Sequence, residues 1–222
     1  MSTRTPPDRN CEVLAAGLQM PRPKEFSESI ALEAAVDRFW QHGYAATSMR
    51  DLTASMGLSA PSLYNTFGDK QALFARALEH YLDRTTRNRL LRLESSLRPK
   101  EAIQRFFTEI IECSLGDRER KGCFLVNAAL EIAPHQREVG ALIADQFGEI
   151  EAFFKRCIHA AQADGATPPD VDVDDAARLL LGVLLGIRVL ARIIASRALL
   201  QGVARPALAQ LDWPGDKRKK GR

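Results

Sequence analysis

Residues 49–67, MRDLTASMGLSAPSLYNTF, decide the fold. Two short stretches of helical spacing flank Gly57, a residue that accepts positive φ at little cost and so lets the chain turn sharply. Leu52, Met56, Leu58 and Leu63 supply the apolar contacts that lock the two helices together. Ser48 and Asp51 form an S-x-x-D capping signal for the first helix, with Thr47 as an adjacent cap candidate. Ser59 reads as the N-cap of the second, and Pro61 is tolerated in its first turn. The pattern is a helix-turn-helix. Its second helix exposes Ser59, Ala60, Ser62, Tyr64, Asn65 and Thr66. Small and hydroxyl-bearing side chains at a helix N-terminus can approach a major groove closely, and the free N–H groups there suit phosphate.

Upstream, Leu32, Ala35, Val36 and Phe39 recur at i, i+3, i+4 and i+7, the stripe of a helix that starts near Glu25 and stops at His42-Gly43. Residues 1–24 carry TPPDRN and PRPK and read as a mobile N-terminal arm. Downstream, Gly68-Asp69 stops one helix and caps the next, a long one whose stripe is Leu73, Phe74, Ala77, Leu78, Tyr81 and Leu82 and which lasts until Pro99. Helical patterns follow at 100–115, 122–133, 136–164, 173–198 and 203–211. There is no period-2 run and no internal repeat, so the chain is expected to be all-α. It divides into the arm 1–24, a helix-turn-helix domain 25–70, a helical domain 71–213 and a basic tail 214–222.

Composition bounds the function. The chain has 222 residues, 45% apolar and 27% charged. These are globular proportions, which exclude a disordered or fibrous chain. Four cysteines without a CxxC pair argue against a disulfide scaffold or structural zinc and fit a reducing, cytoplasmic compartment. No N-terminal apolar run resembles a signal peptide. The segment 177–195, ARLLLGVLLGIRVLARIIA, is interrupted by Arg178, Arg188 and Arg192, so it reads as a packed soluble helix and not a membrane span. The net charge of +3 is uneven, with basic zones after residue 70 and in the last ten residues. His42, His80, His135 and His159 lack ligand spacing, and no phosphate loop or nucleophile motif occurs. No catalytic residue, cofactor or metal is therefore expected.

AAVDRFWQHGY followed by TSMRDLTASMGLSAPSLYNTFGDKQALF resembles the signature of the TetR/AcrR-type transcriptional regulators across roughly 45 residues, a highly specific match. The resemblance implies an N-terminal helix-turn-helix domain and a C-terminal effector-binding and dimerisation domain. It implies a one-component DNA-binding regulator, a homodimer and repressor, released from a double-stranded operator by a small effector. By the same resemblance Thr47, Ser48 and Lys70 would touch backbone phosphate, Arg50 would reach backbone or groove, Tyr64 would reach a phosphate through its hydroxyl, and Ser59, Ala60, Pro61, Ser62 and Asn65 would face base edges. Many members carry a His or a second aromatic where Asn65 and Thr66 stand, so the base sequence does not carry over.

Phe106, Phe107, Ile110, Phe124 and Asn127 are the candidate effector-binding residues, although helical core explains such aromatics equally well. In KGCFLVNAALE, Cys123 opens a helix behind Arg118, Arg120 and Lys121. It is the candidate thiol sensor, against the alternative of a buried, inert cysteine. Cys113 is expected to be buried beside Phe106 and Ile110. Leu180, Val183, Leu184, Ile187 and Ala191 are the expected dimer face. The rival function is an all-α small-molecule binding protein or enzyme that uses the cavity without DNA.

Overall fold

Capping chemistry cuts the chain into helices where side-chain oxygens can meet free backbone N–H groups. The computed structural model describes residues 28–212, and the expected arm 1–24 and tail 214–222 lie outside them. The described residues are helical, with no strand. Helix α1 spans Glu28–His42, α2 Met49–Met56, α3 Ala60–Phe67 and α4 Lys70–Leu82. Gly43, Gly57 and Gly68 take φ of 80°, 66° and 77° at the three intervening turns, which an L side chain would resist. Ala31, Leu32, Ala35, Val36 and Phe39 form the buried stripe of α1, packed mainly on α4 and α2. Burying a side chain such as Phe39 is worth about 1.5–3 kcal/mol.

The long helix expected from Asp69 to Pro99 is interrupted. A π turn, Asp83–Arg87, separates α4 from α5, Asn88–Ser96, without breaking the path of the backbone. Thr85 Oγ1 donates to the Tyr81 carbonyl at 2.7 Å within this turn, a bond that competes with regular i→i+4 pairing. The basic residues here do not form a free solvated face. Arg84 pairs with Glu33, Arg87 with Asp83 and Glu149, and Arg89 and Arg92 with Glu109, so they tie this hinge to α1, α6 and α8.

The C-terminal domain continues with α6, Pro99–Gly116; α7, Phe124–Glu131; α8, Arg137–Ala163; α9, Val173–Ile193; and α10, Arg197–Ala209. Helices α8 and α9 pack side by side, with α6 and α10 against them. Phe106, Phe107, Phe153 and Phe154 make their common aromatic core, Phe107 stacking on Phe154 at 5.8 Å. The break between the last two helices falls at residues 194–196, not at Gly202. Ser196 caps α10, and a lone glycine is tolerated inside a helix.

The face expected to dimerise turns inward. Leu180, Leu184, Ile187 and Ala191 are buried within their own protomer, because α9 presents this stripe to α6 and α8. The outward stripe is Leu179, Gly182, Val189 and Ile193. Among the described residues no helix is long and apolar enough to cross a membrane.

Candidate nucleic-acid interface and effector cavity

The helix-turn-helix reading head is braced by its own caps and hydrogen bonds. Ser48 Oγ accepts the Asp51 N–H at 3.2 Å and Asp51 Oδ2 accepts the Ser48 N–H at 2.9 Å, a reciprocal capping box at the start of α2. The Ser48 N–H in particular holds the Asp51 carboxyl below its ordinary range, helped by Arg38 across from α1 at 3.2 Å. Helix α3 buries Leu63 and Phe67 and exposes Ala60, Pro61, Ser62, Tyr64, Asn65 and Thr66 on one convex surface. Arg76 fastens its far end, lying 4.7 Å over the Phe67 ring and donating to the Thr66 carbonyl at 2.9 Å.

Most of the residues expected to contact DNA are exposed at α2 and α3. Ser48, Arg50, Ser59, Ala60, Pro61, Ser62, Tyr64 and Asn65 are all exposed, and Arg50 makes no ion pair among the described residues. The Ser59 and Ser62 hydroxyls bond each other at 2.9 Å, which orients both at the start of α3. Thr47 is a correction. It is 0% exposed and its hydroxyl donates to the Gly43 carbonyl at 2.7 Å, so it braces the turn and has no surface for phosphate. Lys70 is half-buried, its Nζ 4.3 Å over the Tyr44 ring. Burial lowers its ammonium pKa, with the Glu131 carboxylate opposing.

Behind the reading head lies a cavity of about 820 Å³. Trp40 of α1, His80 and Tyr81 of α4, the π turn, Phe106, Ile110 and Cys113 of α6, Phe147 and Ile150 of α8, and Leu184 and Arg188 of α9 wall it. The N-terminal domain therefore supplies part of the wall directly. Of the expected residues, Phe106 and Ile110 face the cavity. The other three do not line it. Phe107 is turned into the Phe154 stack. Phe124 sits behind the wall against Trp40, Phe74 and Tyr81, at centroid distances of 6.1, 5.4 and 5.5 Å. Asn127 frames the preceding loop, donating to the Lys121 carbonyl at 2.7 Å and accepting from Arg192 at 3.1 Å. Trp40, Tyr81 and Arg188 were missed. Arg188 did leave a signal, a charge inside the apolar stripe of Leu184, Ile187 and Ala191.

Two thiols share the cavity wall. Cys123 is half-buried at the N-cap of α7, and its side chain makes no capping bond. The basic run before it is engaged elsewhere. Lys121 pairs with Glu119 at 3.2 Å and lies over Trp40, while Arg120 donates to the Ile193 carbonyl at 3.4 Å. The Tyr81 phenol is pushed well above its usual value by burial first and by the neighbouring Cys123 second. Cys113, expected to be buried, is exposed and accepts from Arg89 Nη2 at 3.8 Å, because its place on α6 lies past the edge of the packed stripe. Cys157 is buried, and that burial pushes its thiol up to about 12.

One short helix joins the cavity to the reading head. From Cys123 at its start, α7 runs eight residues to Glu131, roughly 12 Å. Glu131 Oε1 accepts the Ala45 N–H at 2.9 Å, closing the turn that precedes α2. A Cβ on Gly43 would lie 3.1 Å from the same carboxylate, so glycine lets it approach.

The family model described as "Bacterial regulatory proteins, tetR family" matches residues 31–77, and "Tetracyclin repressor-like, C-terminal domain" matches residues 99–207. The HTH-type transcriptional regulator YezE of Bacillus subtilis is 33% identical, over 87% of this chain and 100% of its own length. The HTH-type transcriptional repressor ComR of Escherichia coli is 32% identical, over 87% of this chain and 91% of its own. Among solved structures, a cysteine mutant of the TetR-family regulator CifR in complex with 26-base-pair operator DNA is similar. It has a TM-score of 0.74 and 34% identity, covering 87% of this chain and all of that one.

Proposed function

The chain belongs to the TetR family of bacterial regulatory proteins, and from that premise we propose a one-component repressor that binds operator DNA and leaves it when a small molecule fills the cavity. The observation that carries this reading is the joining of a pre-formed reading surface to a cavity through α7 and the Glu131–Ala45 bond. Arg50 and Lys70 supply charge to backbone phosphate, Tyr64 a hydroxyl, and the N-terminal end of α3 faces base edges through Ser59, Ala60, Pro61, Ser62 and Asn65.

Two copies act together. The outward stripe of α9 places Gly182 where an added Cβ would meet nothing within 4 Å, as at Gly148 on α8. Val189 and Ile193 beside it are 42% and 67% exposed. Small residues between exposed apolar ones suit close helix packing against a second copy. The paired reading heads then meet half-sites about one helical turn apart or somewhat more. The protein works in the cytoplasm, where the DNA is.

A ligand acts only as far as its affinities for the two head spacings differ. Trp40 and Tyr81 belong to helices shared with the reading head, so wall contacts there bias α1 and α4, and contacts near Cys123 bias α7. Adduct formation at Cys123 is a second route to the same shift, and Cys113 in the same wall makes a second target. The test is a mobility-shift titration on DNA upstream of the chain's own coding sequence across a salt series. Tight, salt-sensitive binding is expected, and the absence of binding at low salt would favour the cavity-only rival.

A further inference from the structure

The cavity's polar lining is lopsided. Its carboxylates are satisfied or peripheral. Glu33 pairs with Arg84, Glu119 with Lys121, Asp117 Oδ2 accepts the Gly122 N–H at 2.7 Å, and Asp37 is exposed at the rim. Most of its free capacity is donor capacity, with His80 Nε2, which can donate or accept, also without a hydrogen-bond partner among the described residues. Arg188 is half-buried, and the hydrogen bond it makes among the described residues is to the Ser114 hydroxyl, at 3.1 Å from Nη1. Among the described residues no carboxylate lies within ion-pair distance of it. The ring nitrogen of Trp40, which can only donate, has no partner either.

The helix end does not account for this arrangement. A cation in the last turn of α9 complements the dipole, and Arg192 occupies that position, bonded to Asn127. Arg188 is one turn further in, on the buried stripe between Leu184 and Ala191, and a like charge four residues away disfavours it. A half-buried guanidinium with one neutral partner is incompletely compensated, and its planar fork matches a carboxylate. Around it the walls are apolar: Ile110, Phe147, Ile150 and Leu184, with the Tyr81 ring. The volume suits a small organic molecule.

We propose that the cavity binds an amphipathic monocarboxylate, its carboxylate held by Arg188 and its aromatic or aliphatic body laid against the apolar wall. This rests on the effector reading and names the ligand class. Trp40 Nε1 stands as a further donor toward the bound acceptor, whereas the Tyr81 hydroxyl is engaged with Thr85 and Cys123. Arg84 and Arg89 remain committed to Glu33 and Glu109, and Arg118 and Arg192, which also border the cavity, are exposed at its rim, so Arg188 is the half-buried guanidinium that faces the ligand body.

Calorimetric titration of the full chain with 2-naphthoate and decanoate, each against its primary amide, tests this. Carboxylates should bind about tenfold to a hundredfold more tightly than amides of the same shape, the range expected of charge-assisted hydrogen bonds. Arg188→Met should remove that preference while amide affinity and helical content stay unchanged. Arg188→Gln is the second variant should the first fail to fold, and the comparison in the wild-type protein needs neither. Equal affinity for acid and amide, an undiminished preference in either variant, or no saturable binding by any of the four probes would each overturn the inference. A parallel operator-binding assay separates the two readings. Arg188-dependent carboxylate binding without DNA binding would sink the regulator and leave the site, whereas operator release by the amides alone would do the reverse.

Discussion

At the residue scale, charge and burial separate side chains that look alike in sequence. Arg50→Ala should weaken operator binding about equally across DNA sequences and lower the salt slope by about one unit, because a phosphate contact releases counterions without reading bases. Lys70→Ala should do the same, its ammonium leaving the Tyr44 ring for phosphate. A slope identical to wild type removes that residue from the contact set. The cysteines divide by the same logic. Burial raises the Cys157 thiol to about 12, so almost no thiolate exists there near neutrality. Mass spectrometry of the native protein under alkylation should find Cys113 and Cys123 modified and Cys157 modified only after unfolding. Cys157 reacting first would contradict its burial. Cys113 shows the limit of stripe-reading, since helical spacing put it beside Phe106 and Ile110 while the packing left it outside.

At the element scale, α2 and α7 matter most. Ser48→Ala removes an N-cap and should cost about 1 kcal/mol of stability, read by thermal or denaturant melting. The capping box also carries a pH dependence of known sign. Asp51 has a folded pKa below its unfolded value, so its contribution is complete above the unfolded value, about 3.9, and is lost as pH falls through the folded one. Asp51→Asn should flatten that part of the acid limb, and an unaltered limb would assign the loss to other carboxylates. Helix α7 transmits. Glu131→Ala frees the Ala45 N–H and should weaken operator binding several-fold, with fold and oligomeric state unchanged. Fluorescence anisotropy on labelled operator would reveal the loss, and unchanged affinity would show that the bond only decorates the turn.

At the scale of the whole molecule, the proposed dimer assigns opposite duties to the two faces of α9, and two substitutions two residues apart should test it. Leu180→Glu pushes a charge into the protomer's own core, away from the cavity, and should cost about 3 kcal/mol or more, unfolding the domain. Gly182→Glu points into open space within the protomer and should split the dimer while leaving helicity and melting largely intact. Sedimentation with circular dichroism distinguishes the two outcomes. A folded Leu180→Glu monomer, or a Gly182→Glu dimer, would reverse the assignment of faces.

Local chemistry was legible in the residues themselves. Ser48, Asp51, Gly57, Ser59 and Asp69 specify caps and a turn through contacts no more than a few residues away, so the helix-turn-helix and its outward residues followed from the sequence. Helical spacing likewise produced the all-α architecture. What it could not decide was which neighbour each stripe meets. Thr47 and Ser48 are both hydroxyl residues at one helix start, yet only the position of the Gly43 carbonyl buries the first. Phe106 and Phe107 are adjacent and chemically alike, yet one faces a cavity and the other a ring of α8. Arg188 read as an interruption of an apolar helix until α4 and α6 closed around it. These outcomes depend on contacts between residues far apart in the chain, which periodicity cannot encode, and they are the ones that set the cavity's chemistry and its link to the reading head.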